Sequence, residues 1–360
     1  MRFERLIGLF AVLFFFFPCI DRHSEAQAQS ATIERFGIQL PASVYNRQPI
    51  RRLLETLDRE RCDRDAIAEL GAEMQKAGFR REAALAFVSF SGSCNGHARS
   101  LRSAVNIYLT ITDHDKALET ATRLIELEPF EDNGYYLRGL THDRMGHIAN
   151  AIADYSTAIE LFANKNILSS VAYVAIARNF EKLGRMCDAA HILESWVSLN
   201  VEKNDTTQSR TMIAKYLQRG QCEAAIGTKT EIFPTIPNQT TTVSLTINGV
   251  RGNFITDTGA TYVSVKSSFA TKAKIAIDPE ISLRLNSANG VVEAARGNAA
   301  SIKLRGLEAR NVAVAIQLDQ NATYGSKIDG LLGMSFLSRF RVTMDSRQLR
   351  LSPRSGAPAR

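Results

Sequence analysis

The chain is poor in the features that mark many enzymes. It has no Gly-x-Ser-x-Gly nucleophile elbow, no His-Glu-x-x-His pair and no phosphate-binding loop ending in Gly-Lys. Its few cysteines lack zinc-ligand spacing. Elbow-serine, zinc-pair and phosphate-loop chemistry therefore have no sequence support. There is also no block of five or six like charges: the formal charge is +7, but the Lys and Arg residues are spread along all 360 positions. A dispersed excess of this kind gives no nucleic-acid footprint. Beyond the first segment, no apolar run approaches the roughly 20 residues that cross a bilayer. Hydrophobic residues at 45% and charged residues at 22% fit an ordinary globular chain, long enough for about two domains.

What is present begins with a leader. Arg2 and Arg5 precede the unbroken apolar run Leu6 to Phe17, and Ala26-Gln27-Ala28 supplies a small-x-small cleavage site. This is the pattern of a secretory signal over residues 1–28, cleaved near Ala28. The alternative is an uncleaved anchor, but the apolar run is short for a span. A lipoprotein role for Cys19 fits less well, because rigid Pro18 precedes it. The expected location is periplasmic, with no stable membrane span after cleavage. In an oxidising compartment the remaining four cysteines, Cys62, Cys94, Cys187 and Cys222, point to disulfides, with three connectivities open.

Self-similarity organises the first half. "GFRREAALAF", "GHIANAIADY" and "GRMCDAAHIL" each carry a Gly, four residues and then a small residue, and "HDKALETA" fills the gap. Ala83, Ala117 and Ala151 are 34 residues apart, and Ala189 follows 38 later. Each unit reads as two amphipathic helices, with Tyr135, Phe180, Phe87 and Tyr155 filling the space beside the small residues. The pattern resembles the tetratricopeptide repeat, with about four units from Cys62 to Glu202. The family's signature Trp is replaced by Ile67, Leu101, Tyr135 and Tyr173. "SRTMIAKYLQRGQC" reads as the capping helix that such a stack needs. The resemblance implies a concave surface able to hold a protein partner. The expected divisions are an N-terminal extension at 29–61, repeats with their cap at 62–226 and a Pro- and Thr-rich linker at 227–239.

The repeats also choose among the disulfide connectivities. The two helices of a unit run antiparallel, so the start of the first lies near the end of the second. That places Cys62 beside Cys94, and Cys187 beside Cys222 at the end of the cap. The other pairings would join opposite ends of the stack, beyond the roughly 7 Å Cα limit. The alternative is four reduced, buried thiols.

From residue 240 to 353 the signals are strands and turns, with a tail at 354–360. Val243, Leu245 and Ile247 alternate with polar residues, and Asn248-Gly249 follows as a hairpin turn. "NSANGVVEAARG" repeats the device at Asn289-Gly290, and "GLLGMSFLSRF" reads as the one clear helical patch. Within this pattern sits "FITDTGATYVSV": an apolar strand, then Asp257, Thr258, Gly259 and Ala260, then another strand. An acidic residue at such a turn needs solvent, a partner or a task.

This stretch resembles the catalytic loop of aspartic proteases, closest to the single-lobe, retropepsin-like members of bacteria. Leu331, Leu332 and Gly333 resemble that fold's hydrophobic-hydrophobic-Gly element, which packs beneath the loop. Ala288, Asn289 and Gly290 lie where the family places its flap. The implied fold is a helical solenoid followed by an all-β acid-protease domain. The implied chemistry is peptide hydrolysis by two carboxylates sharing a proton, without metal or cofactor. The chain has one Asp-Thr-Gly, so the second carboxylate is expected from Asp257 of a second copy, a homodimer formed through the protease domain. Thr258 would brace the partner loop, and Gly259 would permit close backbone approach. Asp329 lacks the Thr-Gly sequel and reads as a turn or helix-start residue. The expected substrate is a protein or peptide, recruited or regulated through the repeats. The rival expectation is a repeat-based periplasmic binding or scaffold protein with a retired protease fold.

Overall fold

The computed structural model describes residues 30–227, 229–235, 239–287, 290–318, 324–325, 327–345 and 347–354. The expected leader at 1–28 and the tail from 355 onward lie outside them. Among the described residues, no helix is long and apolar enough to cross a membrane.

The first half is a stack of helices: α1 (Ala31–Phe36), α2 (Ala42–Tyr45), α3 (Gln48–Arg59), α4 (Arg64–Lys76), α5 (Arg80–Ser93), α6 (Ala98–Thr110), α7 (His114–Leu127), α8 (Asp132–Met145), α9 (Ile148–Leu161), α10 (Val171–Lys182), α11 (Met186–Leu199), α12 (Val201–Asn204) and α13 (Thr207–Gly220). Ala83, Ala117, Ala151 and Ala189 sit in α5, α7, α9 and α11 and are fully buried. A side chain larger than methyl would hold the paired helices apart, so the period seen in the sequence is a packing period. Helix starts are marked chemically. Asp63 accepts the N–H groups of Asp65 and Ala66, and Thr206 and Ser209 form a reciprocal capping box on α13. The N-terminal extension is itself helical: Ile33, Phe36, Leu54 and Leu57 join the same buried cluster as α4 and α5. His142 and His147 meet across the α8–α9 turn, with ring centroids 5.5 Å apart. Disulfides join Cys62 to Cys94 and Cys187 to Cys222, with Cα separations of 5.6 and 5.5 Å.

The second half comprises β1 (Ile226–Gly227), β2 (Glu231–Pro234), β3 (Thr242–Ile247), β4 (Val250–Thr256), β5 (Val263–Lys266), α14 (Ser267–Lys272), β6 (Ala276–Ser287), β7 (Gly290–Leu304), β8 (Leu307–Gln317), β9 (Gly330–Leu332), α15 (Met334–Leu337), β10 (Arg341–Met344) and β11 (Gln348–Ser352). The main sheet has eight strands in the order β1-β8-β5-β9-β4-β3-β7-β6, and an added β7–β8 pairing closes it on itself. The β3–β4 hairpin turns at Asn248 and Gly249, whose φ values are 51° and 84°. These are the left-handed conformations that a two-residue turn of this kind requires. A second sheet runs β10-β11-β2.

Three local expectations are corrected. The stretch taken as linker supplies β2, because Glu231 and Phe233 turn inward while Ile232 and Pro234 turn outward. Leu331 and Leu332 are strand rather than helix: β9 lies between β4 and β5, and only four residues after Gly333 are helical. The helix α14, with Phe269 and Ala270 buried, is additional to the one helical patch expected.

The early helices and the sheet each have a core of their own, and the later helices share a third with part of the β domain. Tyr262, Ile281, Leu283, Leu285, Ala294 and Ala315 of the β domain pack in the same cluster as Ala151, Tyr155, Tyr173 and Phe180. Strand β6 presents Ile281, Leu283 and Leu285 to this core at period two, with 1%, 1% and 8% exposure. A buried ionic seam continues the contact. Arg296, 1% exposed, bonds Asp188 and Asp278, while Arg185 pairs with the same two carboxylates. Further along, Glu194 faces His191 and Arg339.

Candidate active site

Asp257 follows the last residue of β4. Its backbone N–H donates to the Leu332 carbonyl at 3.1 Å, so β9 fixes where the loop begins. Asp257 Oδ1 accepts the Gly259 N–H at 2.8 Å, which closes the turn on its own carboxyl. Thr258 and Gly259 are exposed, and Asp257 and Ala260 are half-buried. The acid therefore sits at a solvated turn tip on a buried strand, held by backbone on one side and open on the other.

The chain beyond the tip is clamped from below. Met334 N–H donates to the Ala260 carbonyl at 2.8 Å, and Ser335 N–H to that of Thr261 at 2.9 Å. Ser335 Oγ accepts the Val263 N–H at 2.8 Å and donates to the Ala313 carbonyl at 2.7 Å. Glycine is needed where these segments cross. A Cβ at Gly333 would lie 2.1 Å from the Tyr262 carbonyl oxygen, and one at Gly330 would lie 1.9 Å from that of Ser264. Leu331, Leu332 and Gly333 thus run directly beside the Asp257 loop and the strand that leaves it.

Asp329 has a bracing place. Its Oδ2 accepts the Asn253 N–H at 2.9 Å, and its own N–H donates to the Asn253 carbonyl at 2.8 Å. Tyr324 donates to or accepts from Ser264 Oγ at 2.6 Å, and burial pushes its phenol up to about 12. It stays protonated throughout the ordinary pH range. Gly290 opens β7 and pairs with Ser287, whereas Ala288 and Asn289 lie outside the described residues.

Sequence reasoning missed the contribution of the helices. Glu160 of α9 accepts the Thr261 N–H at 3.0 Å, and Ser156 of the same helix bonds the Tyr262 hydroxyl at 3.1 Å. Lys165 lies against the loop too. A cavity of about 440 Å³ beside the tip is lined by Thr258, Gly259 and Met344 on one side and by Lys165 and Leu199 on the other. Burial pushes the Lys165 ammonium below its ordinary value, against the opposing pull of Glu160 and Asp257. Gly330 had a legible signal in its Asp-Gly-Leu-Leu-Gly context. Glu160 and Ser335 had none.

Family models match a segment within each half. Residues 243–339 match the family model described as gag-polyprotein putative aspartyl protease, and residues 133–165 match a tetratricopeptide repeat model. No curated protein matches the chain. Among solved structures, a retropepsin-like aspartic protease from Rickettsia conorii is 23% identical, covers 34% of this chain and 93% of its own, and has a TM-score of 0.27. MamA is 20% identical over 44% of this chain and 90% of its own, with a TM-score of 0.38. A thermophilic tetratricopeptide protein in Thermus thermophilus is 16% identical over 47% and 89%, with a TM-score of 0.34. The chain carries tetratricopeptide-like helices followed by a β-rich, retropepsin-like domain, and Asp257 lies inside the matched segment.

Proposed function

We propose that this chain is an aspartic endopeptidase that works as a homodimer, with Asp257 of each copy supplying one carboxylate. The observation that carries the reading is the Asp257 turn: a single Asp-Thr-Gly tip, open to solvent, in the segment that matches the protease family. Two carboxylates brought close cannot both ionise easily, so they share one proton. The ionised one takes a proton from water, which attacks the peptide carbon. The protonated one gives its proton to the carbonyl oxygen. Collapse of the tetrahedral species then expels the amine, which takes the proton first removed from water, while a hydroxyl of the diol returns its proton to the other carboxylate as the acid product forms. Thr258, exposed beside the tip, braces the partner's loop. The β6–β7 hairpin covers bound peptide, and the repeats recruit the substrate or a regulator. The leader directs the enzyme to the periplasm and is cleaved near Ala28.

The test is peptide-library cleavage by wild type and Asp257→Asn. Wild-type cleavage that the variant lacks supports the reading. Equal cleavage by both removes the mechanism, and none by either leaves a repeat-based binding protein. An excess of Asp257→Asn mixed with wild type should suppress activity, because mixed dimers hold one ionisable Asp257. An active species that sediments strictly as a monomer overturns the dimer.

A further inference from the structure

Glu160 is a buried carboxyl near the C-terminal end of α9, and it reaches out of the helical stack. Its Oε1 accepts the backbone N–H of Thr261, the fourth residue past Asp257, at 3.0 Å. Ser156, one turn earlier on the same helix, bonds the hydroxyl of the next residue, Tyr262, at 3.1 Å. Lys165 folds back over the end of that helix and donates to the carbonyls of Ile159 and, at 3.0 Å, Glu160. The Thr261 residue is thus gripped from both sides. Its carbonyl is held by Ser335 N–H of the β domain, and its N–H by a side chain of the helical stack.

We infer that Glu160 is a positioning residue for the catalytic turn: by fixing Thr261 it holds the Ala260–Tyr262 segment, and through it the aim of the Asp257 carboxyl. The inference rests on the aspartic-peptidase reading. A buried carboxyl is costly unless its oxygens are bonded, so its place here calls for a partner such as the Thr261 N–H. Burial pushes the Glu160 carboxyl above its ordinary range, while Lys165 and the Thr261 bond work against that rise. The helical half is then part of the catalytic framework as well as a recruiting surface.

Two variants of the full chain separate reach from charge. Glu160→Asp keeps the carboxyl but withdraws it by one methylene. Glu160→Gln keeps the reach and an acceptor oxygen. A misplacement of the order of 1 Å costs up to about a hundredfold. Glu160→Asp should therefore lower kcat by about ten- to a hundredfold with KM within about twofold. Glu160→Gln should recover most of that loss. Amide exchange at Thr261 should quicken in Glu160→Asp and stay slow in Glu160→Gln. Unchanged kcat and unchanged Thr261 exchange in Glu160→Asp would overturn the inference. So would a rise in turnover, which would mean that α9 obstructs the site. If Glu160→Asp does not fold, Lys165→Met loosens the same helix end and should lower kcat severalfold; unchanged kcat there also overturns the inference. If wild type cleaves nothing, the peptidase reading fails, and Thr261 exchange still decides whether Glu160 holds the turn.

Discussion

The helical stack and the β domain are held by different kinds of contact. In the stack one contact is made repeatedly: four fully buried alanines occupy equivalent places in α5, α7, α9 and α11. Around the Asp257 turn each contact is made once, by Gly330, Gly333, Ser335 and Glu160. Two glycines show the consequence. A Cβ at Gly71 of α4 would meet the ring end of Phe87 at 2.2 Å, whereas one at Gly330 would meet the backbone oxygen of Ser264 at 1.9 Å. A ring on a side chain can swing aside, and a carbonyl inside a sheet cannot. Repetition tolerates local change; a turn assembled from single contacts does not.

The largest expected effect separates chemistry from architecture. Asp257→Asn should lower turnover by about a thousandfold or more. Its melting temperature should stay within a few degrees, since Asn retains an oxygen for the Gly259 N–H. A large fall in melting temperature, seen by calorimetry, would make the turn a structural element first.

Next in size are the disulfides, which stabilise the stack through the unfolded chain. They close sequence separations of 32 and 35 residues, so Cys62→Ala with Cys94→Ala, or Cys187→Ala with Cys222→Ala, should each cost about 3–4 kcal/mol in denaturant unfolding. Loss of less than about 1 kcal/mol in either would show that repetition alone carries the stack. The glycine pair tests the contrast directly. Gly330→Ala should destabilise by about 3 kcal/mol, and Gly71→Ala by about 1 kcal/mol after Phe87 moves. Equal costs in chemical denaturation would erase the distinction.

The smallest effect concerns the seam between the halves. Burial works to raise the Asp188 carboxyl, but Arg296 and Arg185 outweigh it and hold the group below its ordinary range. Burial likewise opposes the low values of Asp278 and Glu194; Arg185 holds down the first, and His191 with Arg339 the second. For such carboxylates the stabilisation is complete above the unfolded pKa, about 4, and is lost as pH falls through the folded value. His191 adds to the acid loss. Burial, then Arg339, lowers its pKa, so stability falls as pH drops below the ordinary histidine range. Urea midpoints should be flat near neutrality and decline below about pH 4 to 6. A midpoint that rises on acidification would contradict the seam. Glu160, shifted the other way, opposes this decline in part.

Much of this architecture is legible because its signals are local. A 34-residue period needs only small residues at fixed spacing, and Asn248-Gly249 needs only a turn with positive φ. Asp-Thr-Gly is read in the same way, from three adjacent residues and their strand flanks. Contacts across the fold leave no such mark. Glu160 meets Thr261 from 101 residues away, and the bond is to a backbone N–H that every non-proline residue owns. Leu331 and Leu332 mislead because a short apolar run buried between strands has no periodicity to tell it from helix. The strand β2 hides for another reason: its four residues, one of them Pro234, carry too little alternation to stand out among the surrounding threonines.

The shared core described above also decides how the molecule comes apart. One buried cluster runs from Ile33 to Leu137, while another joins α9, α10, α11 and α13 to Tyr262 and the inward residues of β6. The cooperative units of unfolding should therefore differ from the two architectural halves. The early helices can open as one foldon, whereas the last helices should open only together with the sheet they are fused to. Native-state exchange under mild denaturant should place the break within the helical stack, near α8, and leave the passage from helix to strand unbroken.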